Sequence, residues 1–274
     1  MLRFPPFFTE VPLSYAQAPT SMLHIFPDAS SIADHVSRSL IEKIQSKPDV
    51  VLGLATGGTM EPVYARFVEQ ARALRLDVCR LTSFNLDEYV GLPADHPKSY
   101  AAYMNEHLFR HLGFDASRLH LPDGLAQDLP QHCREYSARI LQSGGIELQL
   151  LGVGGNGHIG FNEPGTPFDS RCHVVELSER TRIDNSRFFE GNAVVPASAI
   201  TMGMYEIMQA REIVLVATGE SKAEIVSQWC RNDVTEAIPF TVLKRHARAK
   251  ILLDEAAASL LPDSVRQSML AMSA

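Results

Sequence analysis

No run of apolar residues in the 274-residue chain approaches the roughly 18 needed to cross a bilayer as a helix. Cysteine is scarce. Cys79, Cys133, Cys172 and Cys230 are scattered without a C-x-x-C pair, which gives neither a disulfide framework nor zinc-site spacing and suits buried thiols in a reducing compartment. Basic residues are outnumbered, 25 Lys and Arg against 32 Asp and Glu, for a formal charge of -7. So acidic a chain lacks the electrostatic footprint of a nucleic-acid binder, and any phosphate it holds must be gripped locally by a few residues. No Ser/Gly-rich linker, internal repeat or G-x-x-x-x-G-K-[ST] phosphate loop occurs either.

What remains is an ordinary globular composition, 45% hydrophobic and 21% charged, long enough to bury a large core. Residues 1–21 carry Pro5, Pro6, Pro12 and Pro19, and Glu10 interrupts their apolar residues, a poor pattern for a signal peptide. They read as a loosely ordered N-terminal extension, with Met22 available as an alternative start. The expected setting is cytoplasmic.

From Met22 onward, short β-rich apolar runs alternate with helical patterns. Residues 23–26 read as a strand. Ser30, as an N-cap, then opens a helix with Ile32, Ala33, Val36, Leu40 and Ile44 at helical spacing. Residues 50–54 form an apolar run, and 61–73 a helix with Pro62 in its first turn. Residues 81–86 read as a strand and 100–112 as a helix, and further strand-like runs lie at 148–153, 213–218 and 251–254. Uninterrupted apolar runs of this length suit strands buried on both faces of a parallel sheet. The expectation is a single three-layer α/β/α domain over residues 22–274 with a mostly parallel, Rossmann-like sheet. Ligands of such sheets gather at the carboxyl ends of strands, which directs attention to four loops.

Thr56-Gly57-Gly58-Thr59 lies between a strand and a helix, where two glycines can turn backbone N–H groups toward a phosphate and the helix N-terminus adds partial positive charge. The same residues also suit a tight turn that needs glycine for steric reasons. Lys222, in Thr218-Gly219-Glu220-Ser221-Lys222, falls in the first turn of a helix, opposing the macrodipole unless an anion sits there; a solvated surface lysine is the alternative. Arg187, in Asn185-Ser186-Arg187-Phe188-Phe189, is a second candidate anion ligand or a surface arginine. Asp87, in Asn85-Leu86-Asp87-Glu88-Tyr89, follows a strand directly and suits either a general base or a turn aspartate. Alternation puts Asp87 and Tyr89 on one side and Glu88 on the other.

The densest segment runs from Gly152 to Gly165. His158 lies there among glycines, near Asn156 and Glu163, both able to hydrogen-bond an imidazole, and such an oriented histidine suits acid–base work near neutral pH. Gly152, Gly154 and Gly157 formally satisfy a dinucleotide fingerprint, with Glu176 as the ribose acid. However, Gly160, Pro164, Gly165 and Pro167 cannot form the helix that this fingerprint requires.

These blocks, in this order, resemble the glucosamine-6-phosphate deaminases, which are related more distantly to 6-phosphogluconolactonases. The likeness runs from about residue 22 to 254 and rests on residues 54–59, 85–92, 157–165 and 185–189. It implies an isomerising deaminase, classed as a hydrolase, that turns glucosamine 6-phosphate into fructose 6-phosphate and ammonia in amino-sugar catabolism, with no cofactor and no metal. Galactosamine 6-phosphate, or a lactone hydrolysed by a 6-phosphogluconolactonase-like enzyme, are its rivals. The resemblance further implies that Asp87 moves the C2 proton to C1, that His158 opens the sugar ring with support from Glu163 and Asn156, and that Thr56, Gly57, Gly58, Thr59, Arg187 and Lys222 hold the phosphate. Residues 172–201 correspond to a mobile lid. The implied partner is a small sugar phosphate, not nucleic acid or membrane, with monomer and homo-oligomer both open. Some members have aspartate where this chain has Asn156. Regulated hexameric members have basic residues in place of His173 and Val175, so activation by an acetylated amino-sugar phosphate is not expected here.

Overall fold

A computed structural model describes residues 22–186, 189, 195–263, 265 and 266. The expected extension, residues 1–21, and Arg187 lie outside the described residues.

The chain runs through β1 (Leu23–Phe26), α1 (Ala29–Ser46), β2 (Val51–Leu54), α2 (Glu61–Leu74), β3 (Thr82–Asn85), β4 (Asp87–Tyr89), α3 (Tyr100–His107) and β5 (Leu119–His120). It continues through α4 (Leu129–Gln142), β6 (Leu148–Leu151), β7 (His173–Glu176), α5 (Glu179–Ser186), β8 (Ser198–Thr201), α6 (Met204–Met208), β9 (Glu212–Ala217), α7 (Ala223–Arg231) and β10 (Ala249–Asp254). Among the described residues, seven strands form a parallel sheet in the order β1-β10-β9-β6-β2-β3-β5. Every residue of β2, β3 and β6 is buried, as expected of strands covered on both faces.

The strand order explains both the layers and the location of the site. The chain steps from β2 outward to β3 and β5, then returns to β6 on the other side of β2 and continues to β9 and β10. Because parallel crossovers are right-handed, α1 and α2 lie on one face of the sheet and α4 and α7 on the other. The direction reverses between β2 and β6, and there the loops beyond their carboxyl ends part to leave a crevice.

Several helix boundaries differ in detail from the sequence expectation. The N-cap of α1 is Asp28, not Ser30: the Asp28 carboxylate accepts a 2.7 Å bond from the Ser31 amide, so the helix has already begun when the chain reaches Ser30. The expected helix at 100–112 is α3 plus a separate 3-10 turn, Phe109–His111, because Leu108 leaves helical geometry (φ -137°, ψ -62°). The Arg72 guanidinium then holds the His111 carbonyl at 3.0 and 3.1 Å.

A second, antiparallel sheet of order β4-β8-β7 was not anticipated. Its strands are short, and β4 pairs with a strand over a hundred positions away, Asp87 with Thr201. It presents Asp87 and Tyr89 to one side and turns Glu88 to the other, in line with the alternation. There the Glu88 carboxylate accepts backbone bonds from Tyr89, Tyr100 and Ala101 at 2.8 to 2.9 Å, which caps α3 and fixes it against β4. Among the described residues, no helix is long and apolar enough to cross a membrane.

Candidate active site

A cavity of about 860 Å³ opens at the reversal point, and four loops supply its floor. Residues 56–59 leave β2, Asp87 follows β3, residues 152–155 and His158 follow β6, and Ser221 and Lys222 follow β9; all of these line the cavity. The structure therefore brings together Thr56, Gly57, Gly58, Thr59, Asp87, His158 and Lys222, which are separated by up to 166 positions in the chain.

Each loop is held by bonds that account for its course. Gly57 has φ +104°, a conformation costly for any residue with a Cβ, and its carbonyl accepts from the Met60 amide and the Tyr103 hydroxyl, both at 2.9 Å. Among the described residues, no backbone bond is donated by the N–H groups of residues 57–59, the condition for a turn that can hold an anion. The loop after β9 is pinned by Asp254, whose carboxylate accepts the Gly219 amide at 2.9 and 3.0 Å. Lys222 closes a 3-10 turn, Glu220–Lys222, rather than lying inside the first turn of α7 as expected, because the chain must turn at Gly219 (φ +86°) before the helix begins.

The loop after β6 forms a closed turn and not a helix, which disposes of the dinucleotide reading. The Gly154 amide donates to the His158 carbonyl at 2.9 Å and the Gly157 amide to the Gly154 carbonyl at 3.0 Å. The His158 ring lies flat over Gly154, so that a Cβ there would overlap Cε1, Nε2 and Nδ1 of the imidazole. Gly160 brings the same loop against the base: a Cβ on it would lie 2.9 Å from the Thr201 hydroxyl and 3.5 Å from the Asp87 carboxylate. The Thr201 hydroxyl accepts the Phe161 amide at 3.1 Å, and the Asn162 side chain donates to the Met202 carbonyl at 2.8 Å. The histidine loop and the Asp87 strand are thus parts of one framework.

Asp87 is 6% exposed. Burial, reinforced by the neighbouring Glu88 carboxylate, pushes its pKa well above the ordinary carboxylate range. Tyr89, Phe161, Leu177, Phe189, Val195 and Ala199 form a small apolar cluster distinct from the main core, and Tyr89, Phe161 and Phe189 of it line the same cavity as Asp87. The Asn185 amide of α5 reaches the Tyr89 hydroxyl at 3.0 Å, and Arg180 and Ile183 line the cavity, so α5 overhangs the site.

Asn156 and Glu163 lie near His158, but neither makes the ring hydrogen bond that their proximity suggested. The Asn156 side chain is used twice: its oxygen accepts the His158 backbone amide at 3.2 Å, and its nitrogen donates to Glu163 Oε2 at 2.6 Å. The same Glu163 oxygen stands 3.9 Å from His158 Nδ1, beyond hydrogen-bond range. The other carboxylate oxygen accepts the hydroxyls of Thr181 and, at 3.3 Å, Ser178. Sequence reasoning missed both Ser178, just before α5, and Thr181 within it. The available signal was the Ser178-x-x-Thr181 spacing, which forms a cap in which the Ser178 hydroxyl accepts the Thr181 amide at 3.1 Å. Lys98, Arg180 and Ser221 also line the cavity and were not singled out. Among the described residues, no group of three or more His, Cys, Asp or Glu side chains is placed to hold a metal.

Comparison with known proteins agrees with this geometry. Residues 28–252 match the family described as glucosamine-6-phosphate isomerases/6-phosphogluconolactonase. The chain is 52% identical to a glucosamine-6-phosphate deaminase of Rhodopirellula baltica over 239 residues, 87% of this chain and 95% of that one. It is 48% identical to a glucosamine-6-phosphate deaminase of Shouchella clausii over 221 residues, covering 81% and 90% of the two chains. Among solved structures, a monomeric glucosamine-6-phosphate deaminase superposes with a TM-score of 0.85 at 42% identity, covering 87% of this chain and 99% of that one. A 6-phosphogluconolactonase from Trypanosoma brucei reaches 0.71 at 19% identity, covering 88% and 98%, and so shares the fold. With its four loops gathered at the sheet's reversal point and its matches extending over most of its length, the chain belongs to the glucosamine-6-phosphate isomerase/6-phosphogluconolactonase family.

Proposed function

We propose that the protein is a glucosamine-6-phosphate deaminase that converts its substrate to fructose 6-phosphate and ammonia. The observation that carries this reading is the opening of Asp87 and His158 into one cavity whose lining also includes the 56–59 turn and Lys222. A lactone hydrolase needs no base at Asp87. An enzyme that moves a proton between adjacent carbons needs a carboxylate within reach of both.

In this mechanism the phosphate rests on residues 56–59 and Lys222 and orients the sugar by binding energy remote from the reacting carbons. His158 takes the O1 proton and delivers one to the ring oxygen, opening the pyranose to the aldehyde. Asp87 removes the C2 proton, electrons move to O1, which takes a proton from the C2 ammonium group, and an enol forms. The proton returns to C1, leaving C1 as the alcohol and C2 as a protonated imine. Water adds at C2, and ammonia leaves as the carbonyl forms. Because the C–N bond breaks only after isomerisation has made C2 electrophilic, the reaction is an isomerising deamination and not a direct hydrolysis.

Burial sets the expected pH dependence. The base must be ionised, and burial favours its protonated form, so kcat/KM should rise with pH along an acidic limb lying above the usual carboxylate range. Regulation by an acetylated amino-sugar phosphate is not part of the proposal. His173 and Val175 sit on β7, where the His173 ring is tied to the Arg171 carbonyl at 2.8 Å and Val175 packs on the apolar cluster.

The test is to measure ammonia and ketose phosphate released from glucosamine 6-phosphate and galactosamine 6-phosphate across pH, with and without N-acetylglucosamine 6-phosphate. The expected result is release from the gluco substrate along a hyperbolic rate curve that the effector leaves hyperbolic, with the raised acidic limb. Turnover of neither amino sugar would overturn the proposal; preference for the galacto substrate would reassign it.

A further inference from the structure

Glu163 has two carboxylate oxygens that face different parts of the molecule. Oε2 meets the Asn156 amide at 2.6 Å and stands 3.9 Å from His158 Nδ1. Oε1 accepts the Thr181 hydroxyl and, at 3.3 Å, the Ser178 hydroxyl, both from the overhanging segment that carries α5. Thr181 is 1% exposed, and its hydroxyl is held between Glu163 and Ser178, whose oxygens are 3.0 Å apart in the case of the latter pair. A hydroxyl buried against a carboxylate fixes that carboxylate's rotation, because turning it would leave a buried acceptor unsatisfied.

We infer that Thr181 is a positioning residue for the acid–base histidine: by binding Glu163 Oε1 it keeps Oε2 directed at His158 Nδ1, and so makes the state of the imidazole depend on the seating of α5. The inference rests on the functional reading above and deepens it, since nothing in the proposed chemistry otherwise assigns a role to this threonine. A carboxylate facing Nδ1 favours the tautomer with hydrogen on Nδ1, which leaves Nε2 to exchange protons. Asn156 cannot supply this bias by charge, because its amide is neutral. Glu163 must therefore be aimed from its other side, and the side chains that reach it there are Thr181 and Ser178.

The experiment compares wild type, Thr181→Val, Thr181→Ser, Glu163→Gln and the Thr181→Val/Glu163→Gln double variant. Valine keeps the shape and removes the hydroxyl; serine restores it. Thr181→Val should lower kcat about tenfold or more, as expected for a misdirected catalytic group, with KM changed by much less, and Thr181→Ser should recover most of the loss. In the Glu163→Gln background the valine substitution should add little, because threonine acts through the carboxylate. Losses that multiply in the double variant, or a kcat for Thr181→Val equal to wild type, would overturn the inference.

A substrate-free measurement separates this inference from the functional proposal. Ring-nitrogen NMR of His158 in the unliganded protein should show the Nδ1–H form favoured in wild type and Thr181→Ser, and a shift toward the Nε2–H form in Thr181→Val. An unchanged tautomer in Thr181→Val would refute the positioning role even if the enzyme proved to be a deaminase. The expected shift in a protein that releases no ammonia would refute the deaminase reading alone. Should Thr181→Val fail to fold, Thr181→Ala, which also removes the hydroxyl and leaves no added bulk, carries the same comparison against Thr181→Ser.

Discussion

Replacing Asp87 by asparagine is expected to lower hexosamine 6-phosphate turnover at least about a hundredfold, the lower end for removing an acid–base group, while leaving the phosphorylated sugar bound. Asparagine fills the same space at the end of the same strand but cannot accept the C2 proton. The phosphate end of the cavity, residues 56–59 and Lys222, belongs to other loops and is untouched by the change. The stability of the variant should move the opposite way. Burial raises the folded pKa of Asp87 above the unfolded one, so the folded chain holds that proton more tightly. The resulting deficit is absent below the unfolded pKa, grows as pH rises through the folded pKa, and is complete above it. At neutral pH the uncharged amide relieves it, and Asp87→Asn should melt at or above the wild-type temperature. Turnover by rapid quench, binding by calorimetry and a melting curve at neutral pH check the three parts. A variant that loses activity by unfolding would show the reverse pattern in the melt, and undiminished turnover would remove Asp87 from the chemistry.

Gly154→Ala is expected to cost about a hundredfold in kcat with a smaller change in KM. The new methyl group would occupy the space of the His158 ring. A side chain can give way where backbone cannot, so the fold should survive by moving the imidazole. Displacement of a reacting group by about 1 Å is enough for a loss of this order. The contrast with Gly203 makes the point sharper. A Cβ there would meet the backbone of Ser170 and Arg171, so Gly203→Ala should act on folding, whereas Gly154→Ala should act on turnover. Steady-state kinetics beside a urea melt distinguishes them. A Gly154→Ala enzyme with wild-type kcat would mean that the ring position over Gly154 is not the working one.

How much of this was legible in the sequence follows from how local each feature is. Strands β2, β6, β9 and β10 declared themselves as apolar runs because both of their faces are buried, and the parallel sheet with its helices on both sides follows from that pattern. The β4-β8-β7 sheet gave no such signal: Asp-Glu-Tyr in β4 is too short and polar, and its partners are distant in the chain. Yet this sheet seats Asp87. The family of the chain was legible for a different reason. The glycine turns, Asp87 and the His158 loop are contiguous blocks, each of which carries its own chemistry.

The support of His158 was not legible. Proximity in sequence suggested that Asn156 and Glu163 both bond the ring, whereas the folded loop spends the Asn156 oxygen on the His158 backbone and holds Glu163 between two segments. A loop of glycines permits many courses, and which one is taken depends on residues such as Thr181 that arrive from elsewhere. Likewise, Asp28 displaced Ser30 as the cap of α1 because both are good capping residues and only the path of β1 decides between them.

The most direct test of the account is a crystal structure with an open-chain analogue, 2-amino-2-deoxyglucitol 6-phosphate, in the cavity. The account predicts that its phosphate lies against residues 56–59 and Lys222, with C1 and C2 within about 3.5 Å of the Asp87 carboxylate, the range of a reactive approach, and with His158 on the side of the ring-forming hydroxyl. A phosphate seated beside Asp87, or a sugar whose C1 and C2 face away from it, would contradict the account.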